Sequence, residues 1–207
     1  MITFDDLPLH KFKSYFAPWL PYLLVAAAIL LLAALPEHMQ AALSYSRDGI
    51  ADAQYWRLVT GHLLHSNNWH LLMNLGGLLL AMLLHAGCFS YRQLAAHWLL
   101  CAVAISVLLY VGSEQIRIYV GLSGLLHAML TLGALKDIQL KINTGWLLLA
   151  GLIVKVSFEQ WHGPDEDLAK LINASVATDA HLYGVVSALA LGLPAIIWLN
   201  TKKAQQH

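Results

Sequence analysis

Six apolar stretches, at roughly residues 19–35, 69–84, 94–111, 120–135, 146–158 and 180–199, constrain this 207-residue chain more than any other feature. A helix crossing about 30 Å of hydrocarbon needs around 20 predominantly apolar residues. Only 12% of the residues are charged and 58% are hydrophobic, whereas an ordinary soluble domain carries about 25% charge. A soluble fold of this length has no means of covering so much apolar surface. The expected class is therefore an all-α integral membrane protein, a single domain over 1–207 with six transmembrane helices and lipid around it. The fourth and fifth stretches fall short of a full crossing. That suits helices ending inside the protein or beneath an aqueous cavity, where the backbone finds other partners.

The first stretch follows Lys11 and Lys13 in the manner of a signal peptide, but Pro18, Pro21 and Pro36 flank it and no small-x-small cleavage site follows. It reads as a retained anchor. With the N-terminus inside, the inner segments hold Lys11, Lys13, Arg92, Lys136, Lys141, Lys202 and Lys203, and the outer segments hold Arg47, Arg57, Arg117 and Lys170. Seven basic residues against four place both termini in the cytoplasm. The first outer loop, about Pro36 to Asn68, is semi-polar, and Tyr55-Trp56-Arg57 suits an interfacial segment. The last, about Glu159 to Thr178, contains Asp165-Glu166-Asp167 and reads as mobile. A net charge of zero offers no footprint for nucleic acid. Cys88 and Cys101 read as free thiols, and no zinc-type cysteine spacing exists.

Polar side chains inside spans are costly and are functional candidates by default. His70 and Asn74 open the second span, Ser123 the fourth and His181 the sixth, all toward the outer side. Ser123 lies in Gly121-Leu122-Ser123-Gly124 at a helix start, where glycines admit a substrate backbone and unpaired N–H groups suit an oxyanion. Small residues also pack membrane helices closely, and that bland reading applies to Ser123 taken alone. His181 is a suitable base for a serine hydroxyl, or equally a histidine bonded to a loop carbonyl. His70 and Asn74, four apart and on one helix face, are oxyanion donors or an interhelical clasp. A metal site is a third idea, prompted by His62-x-x-His65 near His70, but no His-Glu-x-x-His and no nearby span carboxylate supports it. No metal and no cofactor are expected.

Taken together, Trp56-Arg57, His70-x-x-x-Asn74, Gly121-Leu122-Ser123-Gly124 and Ala180-His181-x-x-Gly184 resemble the rhomboid proteases, in that family's order and on its spans. The similarity runs from the first span to the sixth. It implies a six-helix rhomboid-type bundle and an intramembrane serine endopeptidase. Ser123 and His181 would be its catalytic dyad, with no carboxylate orienting the histidine. His70, Asn74 and the Ser123 N–H would form the oxyanion hole, supported by Gly121, Gly124 and Gly184. Trp56 and Arg57 would hold the outer-leaflet loop. The partners implied are transmembrane-anchored protein substrates. A proteolytically inactive rhomboid relative is the alternative, disfavoured because both dyad positions are filled.

Two departures stand out. Many rhomboids place a tyrosine four residues after the serine, where this chain has His127, expected to stack on His181. Many also have glycine where Ala188 follows Gly184. His127, in a small core without an N-terminal soluble domain, resembles the bacterial rhombosortase branch. That implies an inner-membrane enzyme open to the periplasm, acting on secreted proteins that end in Gly-Gly, a hydrophobic helix and a basic tail.

Overall fold

The computed structural model describes residues 17–204, with side chains to 194. Lys11 and Lys13 lie outside the described residues, as do the side chains of Lys202 and Lys203. After a 3-10 turn, α1 spans Leu20–Ala33 with Pro21 in its first turn, where proline's fixed φ and missing N–H cost nothing. The stretch read as one semi-polar loop instead folds into short elements: α2 (Glu37–Leu43), β1 (Tyr45–Ser46), α3 (Arg47–Ala51) and α4 (Arg57–Thr60), then a 3-10 turn at Gly61–Leu63. None is long enough to show a helical period in sequence. The long helices follow: α5 (Asn68–His85), α6 (Tyr91–Gly112), α7 (Ser123–Gln139), α8 (Thr144–His162) and α10 (Thr178–Ala204), with β2 (Ile118–Tyr119) before α7 and the short α9 (Glu166–Ile172) before α10.

Each start has a local cause. The Asn67 side chain accepts the His70 N–H at 2.9 Å, Ser90 and Gln93 form a capping box for α6, and Asp165 accepts the Leu168 N–H at 2.8 Å; these are the donors a helix start leaves unpaired. The acidic run read as mobile is thus the cap and first turn of α9, where negative charge faces the positive end of the helix. Glu159, read as the start of the last outer loop, lies in α8, which continues to His162.

α7 is the centre of the bundle. It packs against α5, α6, α8 and α10, and eleven of its seventeen residues are buried. Apolar side chains elsewhere point outward: Leu31 on α1 is 72% exposed and Leu147 on α8 75%. By length and apolarity alone, α6 is the one helix among the described residues that suffices to cross a membrane. The others are shorter or interrupted by polar groups, α5 by His70 and Asn74, α8 by Lys155 and Glu159.

Two small devices fix the chain just before α7. β1 and β2 pair antiparallel, Tyr45 opposite Tyr119 and Ser46 opposite Ile118. The Gly121 N–H then donates to the Gly61 carbonyl at 3.2 Å. Behind β1, the Arg57 guanidinium donates to the carbonyls of Ala41 (2.9 Å) and Ser44 (2.6 Å), and the Trp56 indole N–H donates to the Ala42 carbonyl at 3.2 Å. Both side chains knit the first loop together.

Candidate active site

Ser123 is the first residue of α7, and His181 lies in the first turn of α10. Glycines bring these helices together. A Cβ on Gly184 would lie 2.1 Å from the Gly124 carbonyl oxygen, and one on Gly124 would lie 2.8 Å from that of Ala180. Those atoms are backbone and have nowhere to move, so both positions require glycine at this separation. The close approach lets two short side chains meet: Ser123 Oγ lies 2.9 Å from His181 Nε2. The imidazole is buried.

On its other edge, His181 Nδ1 lies 2.9 Å from Glu159 Oε2. A carboxylate only accepts, so Nδ1 carries the proton and donates, which leaves Nε2 bare to accept from the Ser123 hydroxyl. This corrects the expectation that no carboxylate touches the histidine. Glu159 Oε1 receives the Lys155 ammonium at 2.6 Å, one helical turn back. Ser123, His181 and Glu159 therefore form a continuous hydrogen-bonded line drawn from α7, α10 and α8.

His127 lies one turn below Ser123. Its ring stacks on that of His181, centroids 4.3 Å apart and planes 19° from parallel. Its Nδ1–H donates to the Ser123 carbonyl at 2.7 Å. Among the described residues, the histidine and acid cluster with ligand-like spacing is His127, Glu159 and His181, not the His62, His65 and His70 set that the sequence brought forward. Stacked rings point their in-plane lone pairs side by side and do not converge them on one ion. His62 serves the fold: buried, it donates from Nε2 to the Ala102 carbonyl and Ser106 Oγ, both at 3.0 Å, tying the first loop to α6. Burial pushes the His62 imidazole down to about 4.

His70 and Asn74 face the backbone that leads into Ser123. Gly121 has φ +131°, and a Cβ there would lie 2.7 Å from His70 Nε2 and 3.8 Å from Asn74 Nδ2. Gly121 thus meets two demands, a backbone conformation L side chains rarely adopt and space for both polar side chains. Asn74 Nδ2 is buried and has no hydrogen-bond partner among the described residues. It borders a cavity of about 70 Å³ shared with His70, Ser123, His181, Val120 and Ala177. An unpaired buried donor is expensive, and here it faces the space beside the serine hydroxyl. A larger cleft of about 680 Å³ adjoins it, lined by the Gln115–Val120 and Ala174–Asp179 segments.

Three participants escaped sequence reasoning. Glu159 is 22 residues from His181 and lies beyond the apolar run of its helix, which continues to His162 and so carries it to the histidine. Ser66 donates to the Ile172 carbonyl at 2.6 Å and sits 3.0 Å from His70 Nδ1, which ties α9 to the first turn of α5. The buried Tyr119 hydroxyl donates to the Gly121 carbonyl at 2.6 Å. Neither has a spacing that announces it.

A family model described as the Rhomboid domain matches residues 52–197, well over half of the chain and all of the groups just described. A search of curated proteins gives no match.

Proposed function

Because the chain belongs to the rhomboid family, integral membrane proteins that are in general intramembrane serine proteases, we propose that it is an active serine endopeptidase of this kind. The observation that carries the reading is the Ser123 hydroxyl held 2.9 Å from His181 Nε2. A serine hydroxyl becomes nucleophilic when such a base takes its proton. Ser123 Oγ attacks the scissile carbonyl carbon while its proton passes to Nε2. The resulting oxyanion forms in the cavity beside the serine, within reach of the Ser123 N–H at the start of α7 and of the His70 and Asn74 side chains. The imidazolium then protonates the leaving amine, and a water or an amine resolves the acyl-enzyme.

In the membrane, α1, α5, α6, α7, α8 and α10 are the six spans. Both termini are cytoplasmic, and Ser123 lies toward the periplasmic face of a bacterial inner membrane. The scissile bond is then near the outer end of a substrate's helix. The substrate class we favour is the rhombosortase type, secreted proteins ending in Gly-Gly, a hydrophobic helix and a basic tail. His127, where many rhomboids carry a tyrosine, supports this branch.

The test is incubation of the purified protein with a tail of this design, followed by mass spectrometry of the new C-terminus. Cleavage at the Gly-Gly motif is expected, lost in Ser123→Ala and lost when the motif moves several residues into the helix. An intact substrate with folded wild-type protein would overturn the Gly-Gly substrate class, and absence of fluorophosphonate labelling at Ser123 would favour the non-proteolytic relative. Unchanged cleavage of the shifted motif would contradict a fixed outward-facing site.

A further inference from the structure

We propose that Glu159 is a positioning residue for His181, converting the serine–histidine pair into a Ser123–His181–Glu159 relay whose carboxylate is itself oriented by Lys155. The proposal deepens the protease reading and rests on it.

Four contacts lead here. His181 Nδ1 donates to Glu159 Oε2 at 2.9 Å while Nε2 accepts from Ser123 Oγ at 2.9 Å. One imidazole edge therefore faces an obligatory acceptor and the opposite edge faces the nucleophile. Only the Nδ1–H tautomer satisfies both at once. Lys155 Nζ lies 2.6 Å from Oε1, so each carboxylate oxygen has its own partner and Oε2 stays turned to the histidine. A plain i,i+4 pair at a helix surface would have no reason to bury its acid. Here the glutamate side chain is only 18% exposed while the lysine is 48% exposed, as expected if the lysine is the outer anchor and the glutamate the inner contact. His127 covers the face of the same ring, so His181 is fixed by its face from α7 and by its edge from α8.

The arrangement does three things for the chemistry. It selects the tautomer able to take the serine proton. It holds the ring plane toward Oγ. It also sets a negative charge beside the imidazolium that forms when the proton moves, with that proton still bound for the leaving amine. Glutamine at 159 would reverse the first effect, because its amide N–H₂ can donate to Nδ1 and favour the Nε2–H form, which cannot accept from Ser123. In soluble triads the equivalent carboxylate-to-amide change costs about 10⁴-fold through the wrong tautomer.

The experiment measures the labelling rate of Ser123 by a fluorophosphonate, a reaction that needs the activated serine but no protein substrate, in wild type, Glu159→Gln and Glu159→Asp. Alongside it, ¹⁵N spectra of histidine-labelled protein report the His181 tautomer. The expected result is a fall of about 10²- to 10⁴-fold for Gln, a shift of the tautomer from Nδ1–H to Nε2–H, and an intermediate rate for Asp with the wild-type tautomer. If the Gln form does not fold, the Asp form carries the test. A wild-type labelling rate in either variant would overturn the proposal, as would a slowed Gln form whose tautomer is unchanged. If the folded wild type itself takes no label at Ser123, the protease reading fails, an outcome distinct from failure of the Glu159 assignment.

Discussion

Two histidine–carboxylate pairs sit at opposite ends of α7, and only one of them is equipped for chemistry. At the start of the helix, His181 pairs with Glu159; near its end, His85 of α5 pairs with Asp137 at 3.3 Å. Both imidazoles are buried and both acids are mostly covered. The difference lies in what each ring meets next. His181 offers its second nitrogen to Ser123 and its face to His127, beside a cavity with an unpaired amide donor. His85 lies over Gly133, where a Cβ would come within 2.3 Å of the ring, and its Nδ1 has no partner among the described residues. Glycine at the start of α7 admits a neighbouring backbone, and glycine near its end admits a side chain. A paired histidine is therefore not a site by itself; a nucleophile, a donor and space must converge on it.

Breaking each pair should separate the two ends most sharply. Ser123→Ala and His181→Ala are each expected to abolish cleavage with the fold intact. Their double variant should be hardly worse than either, because the two act as one unit. His85→Ala should leave turnover near wild type while lowering stability by about 1–3 kcal/mol, the cost of leaving Asp137 without its partner. Substrate cleavage and thermal melting measured on the same preparations check this. Additive losses in the double variant, or lost turnover in His85→Ala, would collapse the distinction.

The unpaired donor is the next difference. Asn74→Ala is expected to lower kcat by about 10²- to 10³-fold, the usual effect of removing one oxyanion donor, with little change in stability since Nδ2 makes no bond in the resting fold. Wild-type kcat would return Asn74 to a packing role.

A smaller effect is expected at the ring face. His127→Phe preserves the stack on His181 but removes the hydrogen bond to the Ser123 carbonyl, whereas His127→Ala removes both. Phe should therefore keep more activity than Ala. Equal loss in the two would mean that the hydrogen bond, not the face, is what His127 contributes.

The smallest effect concerns pH and the loop behind the site. His62 titrates at about 4 in the fold because burial disfavours its charged form, against an ordinary 6.5. The unfolded chain takes up this proton first, so stability contributed by neutral His62 is present above about 6.5 and is lost as pH falls toward 4. Melting temperature should drop across that window, and less steeply in His62→Gln. An identical slope would assign the loss to other groups.

Much of the site was legible because its residues open helices. His70, Asn74, Ser123 and His181 each interrupt an apolar run at the same side, and glycine spacing marks the close approach of α7 and α10. What the apolar pattern hides is what lies just beyond it. The last turn of α8 is polar, so Glu159 read as loop although the helix runs on to His162. The acidic residues 165–167 read as a mobile segment, although an aspartate cap followed by two acids is itself a helix start. α2, α3 and α4 are too short for a period to show. Contacts such as Ser66 to Ile172 arise from tertiary packing and have no local signature.

The central claim is that Ser123 is a nucleophile activated by His181. Its most direct test is to react the folded protein with a fluorophosphonate and locate the adduct by peptide mass spectrometry. The account requires the adduct on Ser123, abolished by His181→Ala and retained in His85→Ala. An adduct on a different serine, or labelling of Ser123 undiminished in His181→Ala, would contradict it.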